Sequence, residues 1–150
     1  MDIRDRAPVL GRWVIGPRLG RGGMGTVYSA VDRESGERCA VKVMRGDTAS
    51  PPGGDPRVLR ELRTAEALVH PHIVRTHACG YADGRYFLVM ELCEGGSLDE
   101  RVRQGEPPGP AAAVALFLDV LDALQHAHTA PLEALDAQGR PVQVLSLIHI

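Results

Sequence analysis

The chain has 150 residues, of which 44% are hydrophobic and 24% are charged, and its formal net charge is −2. This length accommodates one domain, and the near-neutral charge gives no electrostatic basis for binding nucleic acid or an anionic membrane surface. The cysteines, Cys39, Cys79 and Cys93, include no Cys-x-x-Cys pair, which argues for a reducing compartment and against a disulfide framework or structural zinc.

Residues 1–11 are predicted to form a polar leader. The first residues are charged, and no apolar run that would mark a secretory signal follows them. No stretch approaches the roughly 18 apolar residues that a membrane span requires. We therefore expect a cytoplasmic protein with no membrane segment in this portion, while a later membrane segment in a longer parent protein stays open.

A glycine-rich stretch follows the first predicted strand, which begins at Trp13. Its glycines leave the backbone free to approach a bulky anion, and successive N–H groups in such a turn can converge on phosphate oxygens. In a dinucleotide-binding fold the third glycine of this pattern opens a helix. Here residues 26–31 are rich in β-branched and aromatic residues and predict a strand. Residues 39–44 predict the next strand, so the glycines join two strands of an antiparallel meander.

A helix with an acidic residue on its apolar side is predicted next. Asp55 and Pro56 supply an N-cap and a first-turn proline. Apolar residues then recur with helical periodicity at Val58, Leu62, Ala65, Leu68 and Val69. Glu61 falls inside this stripe, where a carboxylate is costly unless a cation meets it. Lys42 on the neighbouring strand is the expected partner; the alternative is a stripe-edge Glu61 paired with a surface arginine.

The rest of the pattern predicts two more strands and two helices. A strand begins within residues 70–74 and runs to about Gly80, a turn follows at 82–85, and the fifth strand covers 86–92. Ser97 caps a short helix over 98–103, and a long helix covers 111–128. Its apolar face consists of Val114, Phe117, Leu118, Leu121, Leu124 and His128. His126 and His128 lie two apart on this helix and point in nearly opposite directions, so no metal site is expected. The order of elements predicts an α+β fold in two lobes.

The run from Trp13 to about Ala130 resembles the protein kinase domain and is most similar to bacterial serine/threonine kinases of the eukaryotic type. The motifs that carry the resemblance are the Gly20/Gly22/Gly25/Val27 loop, the strand 40–42, Glu61 nine residues before His70, the strand 89–92 and the segment 94–98. The resemblance implies a kinase N-lobe over residues 12–93, with a five-stranded antiparallel sheet and one regulatory helix. The hinge and the first helices of an incomplete C-lobe then occupy 94–130.

The resemblance implies that this region binds ATP. Gly20, Gly22 and Gly25 would bring backbone amides over the phosphates, and Lys42, held by Glu61, would contact the α- and β-phosphates. Leu19, Val27 and Ala40 would form the apolar roof above adenine. Met90 would be the gatekeeper at the back of the pocket, and the Glu91 carbonyl and Cys93 amide would hydrogen-bond the adenine edge. The family also uses Mg²⁺, but its metal ligands are absent from this chain.

The resemblance ends after the long helix. Residues 131–144 are predicted to be a polar insert, and no His-Arg-Asp loop, metal-binding asparagine, Asp-Phe-Gly motif or activation segment follows it. Residues 145–150 resemble the translation of a transposon-end sequencing adapter and are predicted to be a non-native tail; a real terminal strand and a frameshifted end are the alternatives. We therefore expect an inactive fragment that aggregates, because no second lobe covers the apolar face of the long helix.

A glycine-rich loop is found in three functional classes of protein. The first is the ATP-binding part of a serine/threonine protein kinase, whose full-length parent transfers phosphate from ATP to a protein substrate. The second is a nucleotide-binding pseudokinase or regulatory module. The third, a dinucleotide oxidoreductase, conflicts with the strand predicted after Gly25. Specificity for serine and threonine instead of tyrosine rests on the resemblance alone.

Overall fold

The computed structural model describes residues 9–23, 25–44, 55, 62–63, 65–130, 134–135 and 141–142 of the chain. Glu61, most of the predicted leader and the predicted tail 145–150 lie outside these residues. The main sheet has the strand order β1-β2-β3-β4-β6-β5. Its strands are β1 (Val9–Leu10), β2 (Trp13–Gly22), β3 (Gly25–Asp32), β4 (Arg38–Met44), β5 (Thr76–Ala82) and β6 (Arg85–Glu91).

The predicted five-stranded antiparallel sheet is confirmed, with an additional edge strand. This strand, β1, falls within the predicted leader and pairs with the start of β2, after a reversal at Gly11 where φ is +61°. Two residues are too few to show the alternation that marks a strand in a sequence. In addition, β5 starts later than predicted, because Pro71 lies in a turn where the Ile73 N–H donates to the His70 carbonyl at 3.1 Å.

One face of the sheet carries a hydrophobic core. Its buried members are Ile15, Ala30, Cys39, Val41, Phe87 and Val89. The Trp13 ring meets the Phe87 ring edge-on, with 5.8 Å between centroids. Because side chains alternate between the faces of a strand, the burial of Val41 and Val89 places Ala40, Lys42, Leu88 and Met90 on the opposite face.

The hairpin between β5 and β6 follows from its two turn residues. Asp83 and Gly84 have φ of +51° and +73°, the left-handed conformations that a two-residue type I′ turn requires. Asp-Gly is a preferred sequence for this turn because its twist matches that of the flanking strands. The turn predicted at residues 82–85 is therefore confirmed.

The described helical residues begin with α1, at 62–63 and 65–67. Leu62 and Leu68 are buried as predicted, whereas Val69 is 60% exposed, because it lies beyond the last helical residue described. The later helices are α2 (Leu98–Arg103) and α3 (Pro110–Thr129), followed by the short strands β7 (Ala134–Leu135) and β8 (Pro141–Val142).

The predicted cap at Ser97 is confirmed, and with Glu100 it forms a capping box at the start of α2. The Glu100 N–H donates to Ser97 Oγ at 3.1 Å, and the Ser97 N–H donates to Glu100 Oε2 at 2.9 Å. Two backbone donors that have no partner inside the helix are thus satisfied reciprocally.

The chain divides into two compact units. The first comprises Met1–Ala67 and Arg75–Leu92, and the second comprises Leu68–Val74 and Cys93–Ile150. The predicted N-lobe, 12–93, also includes residues 68–74, which belong to the second unit. Two side chains of this segment contact α3. His70 Nε2 lies 3.1 Å from Asp122 Oδ2, and His72 Nε2 lies 3.5 Å from Asp119 Oδ1.

The apolar face of α3 is largely uncovered. Val114, Phe117, Leu118 and Leu121 are between 58% and 70% exposed, and His128 is exposed as well. By length and composition α3 is also apolar enough to cross a membrane. The interior helix of a folded domain can pass the same test, so the expected absence of a membrane segment stays a prediction.

Candidate functional site

The glycine-rich stretch forms the tip of the hairpin between β2 and β3. Gly22 pairs with Gly25, and Gly20 pairs with Val27. Gly25 begins a strand and not a helix, which confirms the prediction that separated this loop from a dinucleotide-binding loop. A side chain at Gly25 would overlap the carbonyl oxygen of Val43 and lie 3.1 Å from the Met44 Cα. Packing against β4 therefore requires glycine at this position.

Gly20 and Gly22 have different surroundings from Gly25. A Cβ atom built on either of them meets no atom within 4 Å, and neither has a φ in the left-handed region. Neither packing nor backbone conformation therefore explains why these two residues are glycine. The open space lets an external group approach the main chain closely.

Lys42 lies in a row of paired residues that begins at the glycine hairpin. Val27 on β3 pairs with Lys42 on β4, and Lys42 pairs in turn with Leu88 on β6. Ala40 pairs with Met90, so the sheet brings Val27, Ala40, Lys42 and Met90 onto one face. Lys42 is partly buried, and within the described part of the chain it makes no ion pair.

Two contacts attach the segment around α1 to this same face. The Asp55 N–H donates to the hydroxyl of Tyr86, a residue on the same face of β6 as Leu88. Cys79 pairs with Leu88, and Glu66 of α1 lies near its thiol. Burial, followed by the nearby charge of Glu66, raises the pKa of Cys79 to about 11.

Asp55 and Glu66 thus both lie against the face of the sheet that carries Lys42. Glu61 itself lies outside the described residues, and the Lys42–Glu61 pair stays a prediction.

The far end of β6 holds the residues predicted to contact adenine. Glu91 is the last residue of β6, and its N–H donates to the Arg75 carbonyl at 2.9 Å. The Arg75 N–H donates in turn to Glu91 Oε1 at 3.0 Å. Leu19 on β2 is 54% exposed. Cys93, an exposed free thiol, belongs to the second compact unit.

The described residues contain no cluster of metal ligands. Among the described residues, no group of three or more histidine, cysteine, aspartate or glutamate side chains is arranged to hold an ion. The Mg²⁺ expected from the resemblance is therefore not assigned to any of these side chains.

Three of these contacts have no signal in the sequence. They are the Asp55–Tyr86 hydrogen bond, the proximity of Glu66 to Cys79 and the hydrogen bond from the Arg75 N–H to the Glu91 side chain. Each joins residues that are remote in sequence, and no local pattern signals them.

Comparison with known proteins identifies the family. Residues 13–132 match the protein kinase domain. A probable serine/threonine-protein kinase of Streptomyces coelicolor is 38% identical over 124 residues, which cover 80% of this chain and 18% of the relative. The serine/threonine-protein kinase PknH of Mycobacterium tuberculosis is 41% identical over 110 residues, with 73% and 18% covered. This chain thus spans a small part of the relatives that it matches.

A solved structure agrees with this assignment. The crystal structure of Rad53 1-466 in complex with AMP-PNP matches with a TM-score of 0.69 and 29% identity, over 79% of this chain and 30% of that one. The predicted kinase N-lobe fold is therefore confirmed. The chain belongs to the protein kinase domain family.

Proposed function

We propose that this chain is the ATP-binding portion of a serine/threonine protein kinase. The longer protein would transfer the γ-phosphoryl group of ATP to serine or threonine residues of a protein substrate. The observation that carries the proposal is the position of Lys42, which is partly buried on the sheet face next to the glycine hairpin. Such an amine is suited to an anionic ligand.

The composition of the chain strengthens this assignment. Lys42 is the only lysine, so the 17 basic residues comprise this one and 16 arginines. Lysine presents a compact ammonium group on a flexible stem, whereas arginine presents a planar fork. The single position that has the compact cation is the one predicted to contact the α- and β-phosphates.

The phosphate end would be held by the glycine hairpin and Lys42. The open space at Gly20 and Gly22 allows phosphate oxygens to approach the backbone amides, and the Lys42 ammonium would neutralise charge on the same group. Positioned amides and cations of this kind supply most of the stabilisation in phosphoryl transfer. Rad53, which is similar in structure, is complexed with the ATP analogue AMP-PNP.

The adenine end would be held by the apolar residues of the same face. Val27 and Ala40 lie between the hairpin and Met90 in the paired strands, which suits a flat aromatic base. The Glu91 carbonyl and the Cys93 amide would then hydrogen-bond the edge of the base.

Catalysis would need residues that this sequence does not contain. It has no His-Arg-Asp or Asp-Phe-Gly motif, and loss of a general base alone costs about 10²- to 10⁴-fold in rate. Bound Mg²⁺ would neutralise phosphate charge, but no described side chain is assigned to it. We expect the chain by itself to bind nucleotide without transferring phosphate.

The unique lysine permits a direct test. The chain, fused to a solubilising carrier protein, is treated with an amine-reactive acylating reagent with and without ATP, and modification of the Lys42 peptide is measured by mass spectrometry. We expect ATP to protect Lys42 and NAD⁺ not to. In parallel, Lys42→Met should abolish ATP binding, whereas Arg85→Met, which removes an exposed cation from the same sheet, should not. Equal labelling with and without ATP would contradict the proposal.

A further inference from the structure

The start of β5 and the end of β6 are joined by an unusual pair of hydrogen bonds. Beyond a register irregularity between Thr76 and Ala78, these strands pair Thr76 with Met90, so that Arg75 and Glu91 come next along the ladder. The Glu91 N–H donates to the Arg75 carbonyl at 2.9 Å, as expected for a hydrogen-bonded antiparallel pair.

The second hydrogen bond, donated by the Arg75 N–H, has a different acceptor from the one that a regular ladder provides. In a hydrogen-bonded antiparallel pair each residue donates its N–H to the other's backbone carbonyl. Here the Arg75 N–H donates instead to Oε1 of the Glu91 side chain, at 3.0 Å. The carboxylate of Glu91 thus replaces the backbone carbonyl of the same residue as the acceptor for Arg75.

The change of acceptor affects the backbone carbonyl of Glu91, which is expected to hydrogen-bond the adenine base. The N–H and C=O of a strand residue point toward the same neighbouring strand, so an ordinary ladder would direct the Glu91 carbonyl to the Arg75 N–H. That donor is already taken by the side chain. The Glu91 carbonyl therefore does not have to accept a hydrogen bond from Arg75. The kinase resemblance places the adenine amino group at this same carbonyl.

We propose that Glu91 is a positioning residue for the adenine base, whose carboxylate occupies the Arg75 N–H and so keeps the Glu91 carbonyl available to the exocyclic amino group of ATP. The inference rests on the proposed ATP-binding function and assigns a role to the side chain of a residue otherwise expected to act only through its backbone. An acceptor that bears a charge also makes a stronger hydrogen bond to a backbone N–H than a neutral one. The carboxylate can therefore hold Arg75 in place of the carbonyl.

The experiment compares two nucleotides that differ only in this amino group. Dissociation constants for ATP and for purine riboside triphosphate, which lacks the 6-amino group, are measured by calorimetry with the carrier-fused chain. One hydrogen bond predicts that the wild-type chain prefers ATP by about 2- to 10-fold. In Glu91→Ala the Arg75 N–H becomes free to close onto the Glu91 carbonyl, and this preference should disappear.

Two further variants separate positioning from folding. Glu91→Asp keeps the charge but shortens the side chain by one methylene, so it should also lose the preference for ATP, whereas Glu91→Gln retains an oxygen at Oε1 and should restore it. Glu37→Ala removes an exposed carboxylate from the turn between β3 and β4 and serves as the matched control for lost charge. If Glu91→Ala does not fold, Glu91→Asp decides the question.

The possible results lead to distinct conclusions. A preference that is lost in Glu91→Ala and Glu91→Asp and kept in Glu91→Gln and Glu37→Ala supports the proposal. Equal weakening of both nucleotides, with an unchanged ratio, shows a merely structural role and overturns it. A wild-type chain that binds neither nucleotide overturns the proposed function together with this inference.

Discussion

The glycines of the β2–β3 hairpin should respond in opposite ways to substitution by alanine. At Gly25 the added methyl group would overlap the Val43 carbonyl oxygen and crowd the Met44 Cα at 3.1 Å. Because both are backbone atoms in the middle of the sheet, neither can move without disturbing β4. Overpacking of this kind typically costs about 1–3 kcal/mol, so Gly25→Ala should lower the free energy of unfolding by that amount.

At Gly22 the same substitution should not destabilise the fold. No atom lies within 4 Å of the added Cβ, and the φ of Gly22 is not in the left-handed region. Replacing glycine by alanine at a compatible position restricts the unfolded chain and stabilises by about 0.4–1 kcal/mol. The methyl group would nevertheless occupy the space through which phosphate approaches the backbone, so Gly22→Ala should bind ATP more weakly while unfolding at the same or a higher denaturant concentration.

The two effects are measured by urea unfolding followed by circular dichroism and by ATP titration of each variant. Gly36→Ala is a useful reference, since Gly36 has open space but a φ of +74° and should destabilise through backbone strain without affecting the nucleotide. If Gly22→Ala bound ATP as tightly as the wild-type chain, the hairpin would not be the phosphate site. If Gly25→Ala were fully stable, the packing argument would be wrong.

Three other predictions follow from the described residues. Phe87→Ala should lower the free energy of unfolding by about 3–5 kcal/mol, because Phe87 is only 8% exposed in the core of the sheet. Urea unfolding measures this loss, and a loss below about 1 kcal/mol would contradict the assignment of Phe87 to the core. At pH 8 iodoacetamide should alkylate the exposed Cys93 well before Cys79, whose pKa is raised to about 11, and equal alkylation rates would refute this order of reactivity. The stability that the protonated Cys79 thiol contributes to the fold is complete below pH 9.0 and is lost as pH rises through about 11. Phe117 and Leu118 are 70% and 60% exposed, and replacing both with glutamate should reduce aggregation of the unfused chain, measured by light scattering. ATP binding by the carrier-fused chain should not change. Unchanged scattering would argue against α3 as the cause of aggregation.

The strands and helices that the sequence predicted correctly are those with a local physical cause. The type I′ turn follows from Asp83 and Gly84, and the α2 N-terminus follows from the Ser97–Glu100 capping box. The strand after Gly25 follows from its β-branched and aromatic residues. Each of these depends on residues within a few positions of one another, so pattern and propensity are sufficient to find them.

The features missed by the sequence analysis depend on neighbours that are remote in the chain. β1 exists because β2 offers an edge to two residues that carry no pattern of their own. The end of α1 was placed too late because Val69 continues the apolar periodicity beyond the last described helical residue. Likewise, the composition of the hairpin does not distinguish Gly25, which packs against β4, from Gly22, which faces open space.

The sequence by itself therefore determined the family, the order of the five main strands and the helices, and the residue types of the proposed nucleotide site, because these are encoded in local spacing. Only the tertiary structure decided which of those residues share a face. The register of three strands places Val27, Lys42 and Leu88 in one row, and the pairing of β5 with β6 gives the Glu91 side chain its bond to Arg75. Strand register is fixed by burial and hydrogen bonding between distant segments, and it is therefore a property of the folded chain.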